Sequence, residues 1–146
     1  MGQGTTSQTS TTTGRADGSR GNAELALLMA LEIGVGALWV LWDQVGVDLT
    51  VAQGEHDITV SLTAAVIVAT LVAVAAMGLL RALSGRPHGR RTWTIIAAVV
   101  WAVSFAGPLG ATTPAAGLAL ASFHVLVGAT LLFGLRRLHP DTATDH

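Results

Sequence analysis

The stretch that decides the fold is ITVSLTAAVIVATLVAVAAMGLL, which occupies residues 58–80. It contains no Asp, Glu, Lys or Arg, and a helix needs about 20 apolar residues to cross the hydrocarbon core of a bilayer. Backbone N–H and C=O groups cannot stay unpaired in lipid, so a membrane segment of this length must be helical. A helix on the surface of a soluble protein would instead keep one polar face. The stretch therefore predicts a transmembrane helix.

Three more stretches of the same kind occur in the chain, over residues 23–42, 92–109 and 114–135. The composition agrees with this pattern, because 51% of the residues are hydrophobic and only 12% are charged. Soluble domains carry about 25% charged residues, so a soluble bundle of this composition would lack the polar surface to cover itself. The sequence therefore predicts an all-α, polytopic membrane protein whose four transmembrane helices form one domain over residues 23–138.

The two ends of the chain have a different composition. Residues 1–22 are rich in Thr, Ser and Gly and contain no large apolar residue after Met1. Such a segment buries too little apolar surface to offset its ordering entropy, so we expect a disordered tail. Residues 139–146 form a second short polar tail. We expect both tails to lie on the cytoplasmic side of the membrane.

The arginines predict that orientation. The chain has eight basic residues, all of them Arg, and in a four-pass arrangement all eight fall on one side of the membrane. They are Arg15, Arg20, Arg81, Arg86, Arg90, Arg91, Arg136 and Arg137. The link over residues 43–57, on the opposite side, carries acidic residues and no Arg. Because basic residues are retained on the cytoplasmic side, the sequence predicts a multi-pass protein of the cell (plasma) membrane with both termini inside.

Two ionisable residues lie well inside the predicted helices, Glu32 and His124. At 1.5 Å per residue, Glu32 lies roughly 12 Å and His124 roughly 16 Å from the inner ends of their helices. A charged side chain at the centre of a transmembrane helix costs about 2.5 to 3.5 kcal/mol, so it usually has a partner or a function. Their similar depth predicts an intramembrane polar pair. That pair is either a structural clamp between the first and last helices or a site of proton exchange.

The sequence gives little support for a metal, cofactor or catalytic site. There is no Cys, which excludes thiolate metal sites and a Cys nucleophile, and no nucleotide-binding, zinc-protease or nucleophile-elbow motif is present. Glu55, His56 and Asp57 are adjacent acidic and imidazole residues, but they are more typical of a solvated loop than of a metal site. We therefore predict no catalytic residues, no metal and no cofactor, and regard an enzyme as the less favoured possibility. The net charge of −1 gives no reason to expect nucleic acid as a partner.

Two segments of the sequence resemble a known family. Gly46-Val47-Asp48-Leu49 follows the first helix, and the run from Gly107 to Ala116, GPLGATTPAA, leads into the helix that carries His124. Together they resemble an actinobacterial domain-of-unknown-function family of small four-helix membrane proteins. The resemblance covers about residues 23–138, and it implies four helices and no established activity.

These observations favour a non-enzymatic structural or accessory component of a membrane. Small residues recur every four positions on the helices, a spacing that lets helix backbones approach closely in lipid. The expected partners are the lipid bilayer and either further copies of the chain or an unknown membrane protein. The alternative is an oligomeric proton-coupled transporter of small molecules that uses Glu32. Small multidrug-resistance transporters are similar in having four short helices and a Glu in the first, but this chain has no Tyr and a one-sided Arg distribution.

Overall fold

The computed structural model describes residues 13–53 and 56–138. Four helices follow one another along the chain, α1 (Thr13–Gln44), α2 (Leu62–Leu83), α3 (Gly89–Ser104) and α4 (Pro114–Leu138). Two short strands, β1 (Thr50–Gln53) and β2 (His56–Thr59), lie between α1 and α2, and a 3₁₀ turn at Gly107–Gly110 lies between α3 and α4.

All four predicted transmembrane helices are present. The segments long and apolar enough to cross a membrane are Gly21–Gln44, Leu62–Leu83, Gly89–Gly110 and Pro114–Leu138. Most of the large apolar side chains on their outer faces are exposed, among them Ile33, Leu71 and Val103. Exposed apolar faces of this extent are compatible with lipid and not with water. The predicted all-α membrane fold with four helices is confirmed.

The boundaries of the helices differ from the predicted ones. α1 begins at Thr13 instead of residue 23, so it takes in the second half of the segment predicted to be a disordered tail. Residues 1–12 and the predicted tail 139–146 lie outside the described residues. α3 begins at Gly89 instead of residue 92 and ends at Ser104 instead of residue 109. Its regular hydrogen bonding stops there because Pro108, in the 3₁₀ turn that follows, has no N–H to donate.

The start of α2 also differs, because residues 56–59 form strand β2 and not the first turn of a helix. The helix begins at Leu62, and the Ser61 hydroxyl caps it by accepting a hydrogen bond from the Ala64 N–H at 3.2 Å. A Ser at this position satisfies one of the donors that the first helical turn leaves unpaired. The cap therefore marks the change from extended to helical backbone.

The helices form a closed four-helix arrangement. α1 packs against α2 and α4, and α3 packs against the same two helices. The core contains large side chains, such as Leu31, Trp93 and Leu135, and the small residues Ala69 and Ala73 of α2, all fully or almost fully buried. The small residues of α2 thus allow close packing inside the bundle, as their four-residue spacing predicts.

The two strands connect the α1–α2 link to the α3–α4 link at one end of the bundle. β1 and β2 pair antiparallel, with Thr50 opposite Thr59 and Val51 opposite Ile58. On its other edge β1 meets the link between α3 and α4, because Val51 forms a bridge with Ala111 and the Thr112 N–H donates to the Thr50 carbonyl at 3.1 Å. The α1–α2 link and the α3–α4 link therefore form one small cap over the bundle.

Candidate intramembrane polar site

Glu32 lies on the face of α1 that packs against α2. The Thr70 hydroxyl of α2 and the Oε1 atom of Glu32 are 2.7 Å apart. The same hydroxyl is 2.9 Å from the carbonyl oxygen of Val66, one turn earlier in α2. Threonines in helices commonly donate to the carbonyl four residues back. Glu32 and Thr70 thus form a polar contact across the α1–α2 interface, whereas other faces of both helices are apolar and exposed.

The Thr70 hydroxyl has one hydrogen and lies within hydrogen-bond distance of two acceptors, Oε1 of Glu32 and the carbonyl oxygen of Val66. The two acceptors therefore share this hydrogen, as in a three-centre hydrogen bond.

The second carboxyl oxygen of Glu32 has a different environment. Oε2 is buried and has no hydrogen-bond partner among the described residues. A buried polar atom without a partner costs about 1 to 3 kcal/mol, and more when it is charged. This oxygen is accordingly the place in the described bundle where a further donor would be most stabilising.

His124 has its own set of contacts on the opposite side of the bundle. Its Nδ1 atom is 2.7 Å from the carbonyl oxygen of Leu120, and because a carbonyl only accepts, Nδ1 must carry the hydrogen. The imidazole ring lies 5.9 Å from the ring of Phe105, centre to centre. A Cβ atom at Gly107 would lie 3.9 Å from Nε2. The His124 side chain therefore points toward the end of α3 and the 3₁₀ turn.

The two predicted site residues thus have separate partners. No hydrogen bond or ion pair joins Glu32 to His124 within the described ranges, since Glu32 bonds to Thr70 and His124 to Leu120. Sequence reasoning gives the depth of each residue but not the direction in which it points, because that depends on how the helices rotate as they pack. A functional role for either residue stays a prediction.

Gly128 of α4 explains how α3 approaches His124. The Trp101 indole N–H donates to the carbonyl oxygen of His124 at 2.7 Å. A Cβ atom at Gly128 would lie only 2.0 Å from the Trp101 Nε1 atom. Only a residue without a side chain leaves room for the indole at this point. The absence of a side chain at Gly128 therefore lets Trp101 of α3 pack directly against α4.

Sequence reasoning missed an ion pair at the end of the bundle where the arginines lie. Glu24 of α1 is 7% exposed, and its carboxylate accepts a hydrogen bond from the guanidinium group of Arg81 at the end of α2. The Arg81 side chain is 66% exposed, so the pair lies at the edge of the bundle. The signal in the sequence was a Glu near the start of one apolar run and an Arg directly after the next.

All four tryptophans of the chain form hydrogen bonds that connect different parts of the fold. In the structure each indole N–H donates to a residue outside its own helix. The bonds run from Trp39 to the Val60 carbonyl at 3.2 Å, from Trp42 to the Ser122 hydroxyl at 3.0 Å, from Trp93 to the Ala76 carbonyl at 3.0 Å and from Trp101 to the His124 carbonyl at 2.7 Å. They join α1 to the start of α2, α1 to α4, α3 to α2 and α3 to α4.

The described side chains contain no group of three His, Cys, Asp or Glu residues that could hold a metal ion. Glu55 lies outside the described residues, so its segment with His56 and Asp57 is described only in part. His56 and Asp57 lie in strand β2 with exposed side chains. Among the described carboxyl groups within the helices, that of Glu32 contacts Thr70 and that of Glu24 contacts Arg81.

Comparison with known proteins gives one result. Residues 15–141 match a family of unknown function, DUF6069. No curated protein and no solved structure is similar enough to give a match. The resemblance to a domain-of-unknown-function family is thereby confirmed over most of the chain.

Proposed function

We propose that this chain, which belongs to the DUF6069 family of unknown function, is a non-enzymatic structural or accessory component of a membrane assembly. The observation that carries the proposal is that polar side chains inside the membrane spans make contacts between helices. Glu24, Glu32 and the indoles of Trp42, Trp93 and Trp101 all join one helix to another. Such contacts hold a bundle together and leave few groups for chemistry on a substrate.

The outer surface of the bundle supports a partner within the membrane. Small residues recur at four-residue spacing at Ala26 and Ala30 of α1, and at Ala102 of α3 and Ala106 just after it, and all four side chains are exposed. In lipid, rows of small residues are the places where a second helix approaches most closely. A further copy of the chain, or another membrane protein, is the partner we propose.

Gentle extraction of the full chain from its own membrane, followed by native mass spectrometry, tests this function. We expect an assembly of several copies or a complex with another membrane protein, and the same assembly when Glu32 is changed to Gln. Glutamine keeps the shape of the side chain and one oxygen for Thr70. A bound small molecule that is present in the wild type and lost in Glu32→Gln would contradict the proposal.

One observation favours a second candidate function, a proton-coupled transporter that acts as an oligomer. The Oε2 atom of Glu32 is buried without a hydrogen-bond partner among the described residues, and Thr70 divides its one hydrogen between Glu32 and Val66. A proton-exchanging site needs a carboxyl group whose neutral form is stabilised and whose free oxygen can receive a donor from a ligand. Four helices leave little room for a passage, so transport requires more than one copy.

Infrared spectroscopy distinguishes the two candidates at Glu32. A protonated carboxyl group gives a C=O stretching band that an ionised one lacks, and Glu32→Gln removes the contribution of this residue. For a transporter, the band must disappear as the pH is raised and must change when a substrate binds. For a structural component, the contribution of Glu32 stays the same over the pH range in which the protein stays folded.

We also propose that the membrane is the plasma membrane of an actinobacterium and that both termini are cytoplasmic. Support comes from the resemblance described above and from the arginines. Two of them precede the first membrane segment, Gly21–Gln44, four lie between the last turn of α2 and the first turn of α3, and two lie in the last turn of α4. In a four-helix membrane arrangement these places share one side. The acidic residues Asp43, Asp48 and Asp57 belong to the opposite side.

A further inference from the structure

We propose that the bundle has a binding site for the phosphate group of an anionic phospholipid where α3 begins and α4 ends. Four arginines lie at these two helix ends, Arg90 and Arg91 at the start of α3 and Arg136 and Arg137 at the end of α4. We refer to them as the α3–α4 arginine cluster. The proposal concerns a specific lipid and does not depend on the proposed function.

A direct contact holds the two halves of the cluster together. The Nη2 atom of Arg90 donates to the carbonyl oxygen of Arg136 at 2.9 Å. Arg90 is half-buried by this contact, whereas Arg91, Arg136 and Arg137 are exposed. The contact therefore holds the first turn of α3 beside the last turn of α4, so the backbone positions of all four arginines lie near one junction.

The positive charge of three arginines of the cluster is not balanced by the described residues. The side chains of Arg91, Arg136 and Arg137 make no hydrogen bond or ion pair within the part of the chain that the structure describes. Of the described acidic side chains, only Glu24 lies at this end, and it is paired with Arg81. Arg90 and Arg91 also stand in the first helical turn, where the helix dipole is positive and repels cations. An anion at the junction would relieve both kinds of repulsion.

The position of the cluster determines which anion is available. The transmembrane segments Gly89–Gly110 and Pro114–Leu138 begin and end at these arginines, so the guanidinium groups lie at the level of the lipid headgroups. Arginine binds phosphate through two parallel N–H···O bonds. Basic clusters between helices at a membrane surface bind anionic lipid headgroups in this way. Phosphatidylglycerol fits the site better than phosphatidylcholine, because its phosphate is not offset by an ammonium group.

Native mass spectrometry of the full chain in detergent, titrated with phosphatidylglycerol or with phosphatidylcholine, tests the proposal. We expect phosphatidylglycerol to bind more tightly than phosphatidylcholine to the wild type. The double variant Arg136→Gln/Arg137→Gln should bind phosphatidylglycerol roughly thirtyfold more weakly, since each arginine near an anionic surface contributes roughly a fivefold gain. Arg91→Gln should weaken it by roughly fivefold. Arg90 is kept, because its side chain holds the junction together.

Arg86→Gln is the matched control, because Arg86 is an exposed arginine at the same end but lies in the α2–α3 link, outside the cluster. We expect its affinity for phosphatidylglycerol to stay within about twofold of the wild-type value, since it lies outside the junction. An equal loss in Arg86→Gln would show a general attraction to positive charge and overturn the site. Equal affinity for both lipids, or unchanged binding in the two cluster variants with wild-type helicity by circular dichroism, would also overturn it.

Discussion

Thr70 provides the hydroxyl that Glu32 meets across the α1–α2 interface, so its contribution to stability is measurable. We predict that Thr70→Val, which keeps the shape but removes the hydroxyl, destabilises the folded protein by about 0.6 to 1.7 kcal/mol, the range known for interhelical hydrogen bonds in membranes. Thr70→Ser, which keeps the hydroxyl, should cost less. Equilibrium unfolding in detergent micelles measures both.

The same measurement in a Glu32→Ala background gives the control for Thr70. Without the carboxyl group, Thr70→Val removes no contact between helices, and its cost should fall close to zero. An equal cost in both backgrounds would show that Glu32 and Thr70 do not interact. The cycle therefore tests the contact itself and not the general effect of either substitution.

Gly128 is a residue at which an added methyl group would clash with the neighbouring helix. We predict that Gly128→Ala destabilises the bundle by about 1 to 3 kcal/mol, the usual cost of overpacking, because the new Cβ would lie 2.0 Å from the Trp101 Nε1 atom. Thermal unfolding followed by circular dichroism measures the loss. Trp101 must also move, so the near-ultraviolet signal of its indole should change.

Gly36→Ala is the matched control for Gly128, since a Cβ atom at Gly36 meets nothing within 4 Å. Both glycines lie inside helices, so alanine brings the same gain in helix propensity at each. Gly36→Ala should leave the unfolding temperature unchanged or raise it slightly. A similar loss in both variants would contradict the packing argument.

At the scale of the elements, the start of α2 depends on one cap. We predict that Ser61→Ala destabilises the protein by about 0.5 to 2 kcal/mol, because the Ala64 N–H loses its acceptor. Thr63→Ala, an exposed position in the same helical turn, is the control and should have little effect. Unfolding in detergent with both variants measures the difference, and equal effects would show that Ser61 is not a cap.

The elements also show where the sequence was sufficient and where it was not. Length and apolar character alone predicted the four spans, because lipid leaves the backbone no alternative to a helix. The same run of apolar residues could not show that Ile58 and Thr59 belong to a strand. Their pairing with Val51 and Thr50 depends on a hairpin, which the bridge between Val51 and Ala111 supports from the distant α3–α4 link.

The candidate site, like the helices, could be predicted only in part from the sequence. The depths of Glu32 and His124 follow from the rise of a helix per residue, and the polar contact of Glu32 could be expected from the cost of a buried carboxyl group. The sequence could not show which residue is its partner, because the rotation of the packed helices decides whether Glu32 faces Thr70 or His124. The ion pair of Glu24 was not predicted, because Glu24 lies at the start of its apolar run, where a charged side chain is less costly.

At the scale of the whole molecule, the proposed orientation leads to a labelling prediction. The chain has no Cys, so a single introduced Cys is the only thiol. We predict that Asp57→Cys, on the exposed strand β2, reacts with a membrane-impermeant maleimide in intact cells. Gly85→Cys, in the exposed α2–α3 link, should react only after the cells are broken. The reverse pattern would place the arginines outside.

The packing of α1 against α4, the first and last helices of the chain, has a practical consequence. The hydrogen bond from Trp42 to Ser122 closes the bundle between them, and the start of α1 and the end of α4 come to the same end of the molecule. Around the bundle, α4 is therefore followed by α1, as each other helix is followed by the next one in the chain. A circular permutant that joins α4 to α1 through a short linker and opens the chain between α2 and α3 should keep every helix contact. Two halves of a split fluorescent reporter, attached before α1 and after α4, should reassemble on a single molecule.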